Sequence, residues 1–242
     1  MMKTWAITDV GLVRKENQDA YRIARGGDVC VVCDGMGGAA GGQIASTLAA
    51  ETYAAELEKI LKPDMTPEQL REASSYAVAM ANLAVENRAS EDDELSNMGT
   101  TLVSAIAYEG GAVVTNVGDS RAYYITRAGI TRITKDHSLV ESMVDHGDIT
   151  ADEARHHPSR NLITRALGRD TNASCDGYIR PMEKGDYLLL CTDGLVNTVT
   201  DQEMLFEVLH GQEEDSCLHR LMEIAKSQGA PDNVTAVLMR ML

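Results

Sequence analysis

The chain has 242 residues, of which 44% are hydrophobic and 24% charged, a composition typical of a folded globular protein. Its formal net charge is −15 at pH 7, and such a surface repels nucleic acid and anionic lipid, so we expect neither as a partner. The first residues, MMKTW, open no apolar segment of the kind that a secretory signal needs, and the longest apolar runs have the length of a strand. We therefore expect a cytoplasmic monomer with no membrane insertion.

The N-terminal part of the chain predicts strands followed by two long helices. The strands are expected at residues 4–11, 20–25 and 29–33, and the helices at 43–62 and 66–89. Thr66 is suited to cap the second helix, because Pro67 fits its first turn and Gln69 completes a capping box. The acidic residues that follow, SEDDE at 90–94, are expected to form an exposed loop.

The rest of the chain predicts mainly strands, with two helices near the end. Residues 136–157 are polar and able to form helix. Because strict β–α–β alternation is absent, the predicted fold class is α+β and not a doubly wound parallel sheet. No repeat or linker divides the chain, so we expect a single domain, 1–242. The strands are expected at 100–108, 112–117, 121–126, 130–134, 173–181, 187–192 and 234–241, and the helices at 201–210 and 215–228.

A glycine-rich stretch, CDGMGGAAGGQIAS at residues 33–46, allows two interpretations. Gly35, Gly37 and Ala40 match the GxGxxA pattern of a dinucleotide-binding turn. That fold needs a strand after the glycine-led helix, but here a second long helix follows. A nucleotide-binding oxidoreductase is therefore the weakest hypothesis, and the absorbance of a bound nicotinamide would test it.

The five cysteines are scattered and odd in number, which favours free thiols in a reducing compartment. Cys30 and Cys33 form a CxxC pair, but this spacing places them on opposite faces of the predicted strand. Because the chain has no second CxxC, we expect core thiols here and not a zinc or redox site.

Four aspartates, Asp34, Asp119, Asp193 and Asp232, each stand next to a predicted buried strand, and the first three abut a glycine. A single carboxylate in such a place is most often a turn or cap residue, but here the same pattern occurs four times. Gathered in one cleft, the four would repel each other unless cations neutralised them. Oxygen ligands favour Mg²⁺ or Mn²⁺ over zinc. The pattern thus predicts a two-metal centre of the kind that activates water for displacement at phosphorus.

Six short motifs occur in order along the chain. Together they closely resemble the metal-dependent (PPM, or type 2C) serine/threonine protein phosphatases, in particular their compact bacterial form. The resemblance covers residues 9–239, and it implies a four-layer α-β-β-α sandwich in which two antiparallel sheets are flanked by helix pairs. The motifs are Arg14-Lys-Glu-Asn-Gln-Asp19, Asp34-Gly-Met-Gly-Gly38, Met98-Gly-Thr-Thr101, Gly118-Asp-Ser-Arg121, Thr192-Asp-Gly-Leu195 and Asp232-Asn-Val-Thr235.

The resemblance implies a binuclear centre that holds two Mn²⁺ or Mg²⁺ ions. Asp34 would bridge both ions, and the carbonyl group of Gly35 would bind one of them. Asp193 and Asp232 would complete the coordination of the other.

The same resemblance implies roles for residues around this centre. Asp19 would lie close by and act through metal-bound water, and Asp119 together with Asp193 would hold a weaker third ion. Arg14 would bind the substrate phosphate, because a guanidinium offers two parallel donors that lysine cannot copy. Arg121 is expected to be structural, pairing with a nearby carboxylate and fixing the Asp119 turn.

The implied reaction is direct hydrolysis of phosphoserine or phosphothreonine by a hydroxide that bridges the two ions, with no phosphoenzyme. The catalytic residues would be Arg14, Asp34 and Asp193. Other phosphatase chemistries lack their motifs: Cys175 and Arg180 are one residue too close for Cys-x5-Arg, and Asp-x-Asp is absent.

Two positions depart from the family pattern. Ala39 stands where many members have a histidine that acts as general acid, and Gln43 stands where a glutamate is usual. The leaving alcohol must then be protonated from elsewhere, for example by metal-bound water. We expect a loss of about 10²-fold with poor leaving groups and a smaller loss with aryl phosphates.

The polar residues 138–168 resemble the flap of this family, a mobile segment at the active-site edge that is suited to choosing substrates. Histidines here are expected to be solvated or to form hydrogen bonds within the flap. His157 and Ser159 are the alternative contacts for substrate or a third ion. The histidines in and beside the flap are His137, His146, His156 and His157.

The favoured hypothesis is an active phosphatase that acts on phosphoproteins, with a eukaryotic-type Ser/Thr kinase and its substrates as expected partners. The alternative is a pseudophosphatase scaffold that binds phosphoproteins without hydrolysing them. The complete set of Asp34, Asp193 and Asp232 argues against the scaffold, which has no need of all three.

Overall fold

The computed structural model describes residues 2–38, 40–169, 174–211 and 214–242, with the backbone alone at 214 and 215. Within these residues the chain forms eleven strands and seven α-helices. The strands are β1 (Met2–Asp9), β2 (Asp19–Ala24), β3 (Val29–Met36), β4 (Gly99–Thr100), β5 (Leu102–Tyr108), β6 (Gly111–Val117), β7 (Arg121–Thr126), β8 (Gly129–Arg132), β9 (Asp176–Pro181), β10 (Tyr187–Cys191) and β11 (Val234–Met241). The helices are α1 (Gly41–Ile60), α2 (Pro67–Ser90), α3 (Leu139–His146), α4 (Ala151–His156), α5 (Asp193–Val196), α6 (Asp201–His210) and α7 (Glu214–Ser227).

The strands form two antiparallel sheets. Sheet I has the order β1-β11-β10-β7-β8, and sheet II has the order β2-β3-β5-β6-β9, with β4 paired to β3. In both sheets, strands that are far apart in the chain become neighbours. The register of β1 with β11, from Met2 opposite Met241 to Asp9 opposite Val234, joins the two ends of the described chain.

Three clusters of buried apolar side chains hold the helices and sheets together. Helices α1 and α2 pack on sheet II, where Tyr53 and Leu102 are fully buried. Helices α6 and α7 pack on sheet I, where Met204 and Leu189 are buried. A third cluster fills the space between the sheets. The predicted α-β-β-α sandwich is therefore confirmed.

Capping explains where several helices begin. Thr66, Thr150 and Thr200 each accept a hydrogen bond from the backbone N–H three residues on, and the side-chain oxygen of the Gln or Glu at that position accepts one from the N–H of the threonine. Each box satisfies two backbone donors that a helix start leaves free. These threonines precede α2, α4 and α6.

Pairing and turns shift three of the predicted boundaries. Strand β3 continues through residues 34–36 because Asp34 pairs with Asp19 of β2, and Gly35 and Met36 pair with β4. The helix-capable segment 136–157 is two short helices, because Gly147 ends α3 in the left-handed conformation at φ +78°. The predicted strand at 173–181 begins at Asp176, and its residue 173 lies outside the described residues.

All five cysteines are free thiols, as predicted. Cys30 lies between the sheets and Cys33 lies under α1 and α2, so the pair points to opposite faces of β3. Burial raises the pKa of Cys30 to about 12, and both behave as core residues. Among the described helices, none is both long and apolar enough to cross a bilayer.

Candidate active site

The predicted site residues lie around one cavity of about 580 Å³. Asp34 and Asp119 come from strand ends of sheet II, whereas Asp193 and Asp232 flank strands of sheet I. The cavity is therefore at an edge where the two sheets meet. Asp19 is buried beside Asp34, its partner in the β2–β3 ladder. The predicted residues on the cavity wall are Arg14, Asp34, Gly35, Asp119, Asp193 and Asp232.

Neighbouring backbone and hydroxyl groups fix Asp34 in place. Its N–H donates to Thr101 Oγ1 over 2.9 Å, and its carbonyl accepts from the Thr101 N–H at 2.9 Å and from Thr100 Oγ1 at 2.8 Å. Gly35 follows where the chain passes close to α1, since a Cβ here would collide with the carbonyl oxygen of Gly42. A side chain at Gly35 is thus excluded by packing.

A tight turn after β6 presents Asp119. Gly118 adopts φ +100°, and a Cβ on it would lie 2.6 Å from the Thr101 side chain. Thr101 Oγ1 also shares a hydrogen bond of 2.7 Å with Ser120 Oγ. The same threonine therefore braces both Asp34 and the Asp119 turn.

Asp193 begins α5 directly after β10, and its Oδ2 accepts from Asn197 Nδ2 over 3.1 Å. The preceding residue, Thr192, donates its hydroxyl to Asp19 Oδ2 at 2.9 Å and accepts from the Thr235 N–H at 3.0 Å. Thr192 thereby links sheet I to the buried carboxylate of sheet II.

Asp232 and its neighbour organise the loop that carries Arg14. Asn233 donates its side-chain amide to the carbonyl groups of Val10 and Glu16, each over 2.9 Å. Arg14 Nη2 donates to Asp232 Oδ2 over 2.7 Å, and this hydrogen bond raises the pKa of Arg14. The Arg14 side chain is half exposed and forms part of the cavity wall.

The carboxyl groups of the site are strongly perturbed. Burial raises the pKa of Asp19 to about 7 and that of Asp119 to about 8. Burial also raises the pKa of Asp34 and Asp193, and the charges of neighbouring aspartates, Asp19 for the first and Asp232 for the second, push in the same direction. The site has more buried negative charge than its own side chains can balance.

These donors fit a hard divalent cation. Asp19 Oδ1 and Asp193 Oδ1 are buried and have no hydrogen-bond partner among the described residues. All the donors are oxygens, the ligands that Mg²⁺ and Mn²⁺ prefer. In the part of the chain that the structure describes, no three His, Cys, Asp or Glu side chains converge on one point.

The predicted pairing of Arg121 with a nearby carboxylate is confirmed. Its Nε and Nη2 donate to Asp136 at 3.0 and 2.7 Å, and Asp136 is 8% exposed. Arg132 reaches the same carboxylate from β8 at 2.8 Å. This buried ion pair lies at the base of the segment 138–168 and supports the strand that follows Asp119.

The segment 138–168 reaches the cavity through Asn161 and Ile163. His157 Nδ1 accepts from the Ser159 N–H over 3.1 Å, so this histidine makes a local hydrogen bond of the kind expected for the flap. Among the described residues that form the cavity wall, neither His157 nor Ser159 is present.

Of the two positions that depart from the family pattern, the structure describes only Gln43, which is not on the wall of this cavity. Gln43 is exposed and lines a separate cavity of about 410 Å³ on the outer face of α1. Ala39 lies outside the described residues.

Three residues that hold the site have no role in the sequence prediction: Thr101, Thr192 and Asn233. Each lies inside a motif that carries the family resemblance, which is the only signal the sequence offers for them. Their function became visible only with their partners, because Thr101 meets Asp34 across 67 residues of chain and Thr192 meets Thr235 across 43.

Comparison with known proteins identifies the family. The family model described as protein phosphatase 2C matches residues 13–239. The serine/threonine protein phosphatase PstP of Mycobacterium tuberculosis is 38% identical over 235 residues, which are 96% of this chain and 44% of that protein. The serine/threonine phosphatase stp of Listeria monocytogenes is 34% identical over 236 residues, 96% of this chain and 93% of that protein.

A solved structure agrees with these matches. The catalytic domain of PstP in complex with two manganese ions superposes with a TM-score of 0.84 at 33% identity, covering 99% of this chain and 97% of that one. The chain thus spans less than half the length of the full mycobacterial protein but nearly all of its catalytic domain. The predicted family and fold are confirmed, and the chain belongs to the protein phosphatase 2C family.

Proposed function

We propose that this chain hydrolyses phosphoserine and phosphothreonine on proteins with the help of Mn²⁺ or Mg²⁺, without a phosphoenzyme. The observation that carries the proposal is one cavity in which four aspartates from two sheets lie beside a half-exposed arginine. The manganese-bound structure of the PstP catalytic domain supports the choice of cation.

Each of the lining groups has a proposed place in the cation site. The carboxylates of Asp34, Asp193 and Asp232 and the carbonyl of Gly35 would hold two ions, and Asp119 with Asp193 would hold a weaker third. When bound, the ions supply Lewis-acid chemistry that lowers the pKa of water and neutralises charge on the phosphoryl group.

Arg14 and Asp19 would act on the substrate and on the cation site in different ways. Arg14 would orient the phosphate, since its free guanidinium donors match two phosphate oxygens. Its ion pair with Asp232 holds the guanidinium at the cavity mouth until a phosphate competes for it. Asp19 lies behind Asp34 and is bonded to Thr192, so it can position and tune groups at the site without touching the substrate.

We further propose that residues 1–242 form one phosphatase domain with a flap at 138–168. It would act as a cytoplasmic monomer on phosphorylated proteins, among them a eukaryotic-type Ser/Thr kinase and its substrates. Mass measurement in solution tests the monomer, and dephosphorylation of a purified autophosphorylated kinase tests this class of partner.

The test of the activity is hydrolysis of p-nitrophenyl phosphate and of a phosphoserine peptide. We expect hydrolysis with Mn²⁺, none with EDTA and none in Asp193→Ala with Mn²⁺ present. Asp64→Ala, which removes an exposed aspartate between α1 and α2, is the matched control and should keep wild-type rates. Hydrolysis that survives both EDTA and Asp193→Ala contradicts the proposal. Binding of the peptide without any hydrolysis would favour the scaffold hypothesis instead.

A further inference from the structure

A buried histidine connects the base of the segment 138–168 to the turn that presents Asp119. His137 is 7% exposed, and its Nδ1 lies 3.1 Å from the Gly118 N–H. Its backbone N–H donates to the Gly118 carbonyl over 2.9 Å, and its own carbonyl accepts from the Thr164 N–H over 2.7 Å. One residue therefore contacts the Asp119 turn and both ends of the segment.

These contacts determine where the proton of the imidazole lies. Because Nδ1 accepts from a backbone N–H, the neutral ring must carry its proton on Nε2. That proton is donated to Asp176 Oδ2, 3.2 Å away. Arg165 Nη1 is 3.2 Å from both His137 Nε2 and Asp176 Oδ1, and since Nε2 is a donor, the carboxylate is its partner. Burial lowers the pKa of His137, which favours this neutral form.

The Asp119 turn is thus held from two sides. The Thr101 side chain packs against Gly118 on one side. On the other side, His137 Nδ1 accepts a hydrogen bond from the Gly118 N–H. On the side of the segment, Ser138 pairs with Ile163, and Ile163 lines the cavity. A shift of His137 would move Ile163 on the cavity wall, whereas Thr101, packed against Gly118 and hydrogen-bonded to Ser120, keeps Asp119 in place.

We propose that His137 is a positioning residue that fixes the segment 138–168 against the Gly118–Asp119 turn through the hydrogen bond that its Nδ1 accepts from the Gly118 N–H, while the Nε2–H bond to Asp176 sets the tautomer. The inference rests on the proposed function for its kinetic consequence, which is correct placement of Asn161 and Ile163 against a protein substrate. A small aryl phosphate reaches the floor of the cavity without needing these contacts.

Two substitutions of His137 test the contacts of its two ring nitrogens separately. His137→Asn places a carbonyl oxygen near the position of Nδ1 and so keeps the acceptor for Gly118. His137→Gln places its amide near the position of Nε2 and keeps a donor for Asp176, but leaves the buried Gly118 N–H without an acceptor. His219→Asn, an exposed histidine on α7, is the matched control. Thermal unfolding establishes that all the variants are folded.

Amide exchange by NMR, followed at Gly118 and across 138–168, reads the contact directly and needs no activity. We expect His137→Gln to speed Gly118 exchange by about fivefold or more, as the loss of one hydrogen bond does, while His137→Asn stays close to wild type. In the same protein preparations, His137→Gln should raise KM for a phosphoserine peptide by about fivefold and leave kcat/KM for p-nitrophenyl phosphate within about twofold, and His137→Asn should restore most of the peptide KM.

Equal Gly118 exchange in the Asn and Gln variants overturns the inference, and so does an equal loss of activity on both substrates in His137→Gln. If wild-type protein hydrolyses neither substrate but the exchange difference is present, the proposed function fails and the positioning contact stands. If the wild type is active and the exchange difference is absent, the positioning role alone is refuted.

Discussion

The floor of the cavity, formed by Asp34, Asp119, Asp193 and Asp232, is held by buried packing. The rim, formed by the segment 138–168, is held mainly at its two ends. On the floor, Asp34 lies in a strand whose preceding residues, Val32 and Cys33, are fully buried, and Thr101 bonds its backbone on both sides. At the rim, α4 has no buried residue and α3 buries Val140 alone. The rim depends on its two ends, at Asp136–His137 and Thr164–Arg165.

The difference reflects what each region has to do. Buried carboxylates that repel each other stay in place only if the surrounding frame is stiff, and strands between two packed layers provide that frame. The segment 138–168 would contact different protein substrates. Low local stability suits that role, because the segment can then change conformation at a small cost in free energy. Substitutions and a pH series can test this difference between the two regions.

Removal of one floor carboxylate should separate activity from stability. Asp34→Asn should lower kcat/KM for both substrates with Mn²⁺ by about a thousandfold, because several kcal/mol of charge stabilisation are lost. In EDTA the same variant should melt at a higher temperature than wild type, since one of several mutually repelling groups is gone. Steady-state kinetics and thermal unfolding measure the two effects, with Asp64→Asn as control. Activity within tenfold of wild type contradicts the assignment.

The floor should also make the metal-free protein sensitive to alkali. Asp19 and Asp119 have folded-state pKa values of about 7 and about 8, above the ordinary value of 3.8. The folded state thus binds more protons than the unfolded state, and the stability that they contribute is complete below about pH 4 and is lost as pH rises through 7 to 8. We expect the melting temperature in EDTA to fall by roughly 5 °C or more from pH 5.5 to pH 8.5. Added Mn²⁺ should reverse most of this fall, and a flat or rising profile in EDTA would refute it.

The arginine at the cavity mouth should affect turnover without affecting stability. Arg14→Lys should lower kcat/KM by roughly thirtyfold, because an ammonium cannot make the two parallel bonds of a guanidinium. Its ion pair with Asp232 is half exposed and adds little to folding, so the melting temperature should not change. Arg127→Lys, an exposed position between β7 and β8, provides the control. An equal loss of stability and activity would assign Arg14 a structural role.

The rim should give the smallest effect, and only with protein substrates. Leu162 is 56% exposed and stands between the two cavity-lining residues of the segment. Leu162→Ser should change KM for a phosphoserine peptide by about two- to threefold, the range of a surface contact, and leave p-nitrophenyl phosphate hydrolysis unchanged. Leu83→Ser on α2, which is 46% exposed, is the control. An equal change with both substrates would place Leu162 in the chemistry of the floor.

Local signals in the sequence were sufficient for much of the fold. Helix α6 and strand β11 have the predicted bounds, 201–210 and 234–241, because a capping box marks the first and a continuous apolar run the second. The extension of β3 through Asp34 was not predictable in this way. Asp34 is in the strand because it pairs with Asp19 of β2, and the strand continues because Gly35 and Met36 pair with Thr100 and Gly99, more than sixty residues later in the chain.

The same division holds for the site. The four aspartates and the glycine turns beside them could be recognised from residue type and spacing, because turns and strand ends are local features. The contacts that support these aspartates could not be predicted from the sequence, because each contact joins distant parts of the chain. Arg14 binds Asp232 across 218 residues, and His137 binds Asp176 across 39.

Residue types and their order set which groups are available for chemistry: oxygen donors at strand ends, glycines that let the backbone turn, and Arg14 ahead of them in the chain. The tertiary structure decided that two sheets bring these groups to a single edge and bury them there. Burial and proximity are what raise the pKa of Asp19 and Asp119, and neither is a property of a residue or of its neighbours in the chain. His137 was expected to be solvated or to form hydrogen bonds within the flap. It is buried at the base of the segment 138–168 because distant parts of the chain pack around it.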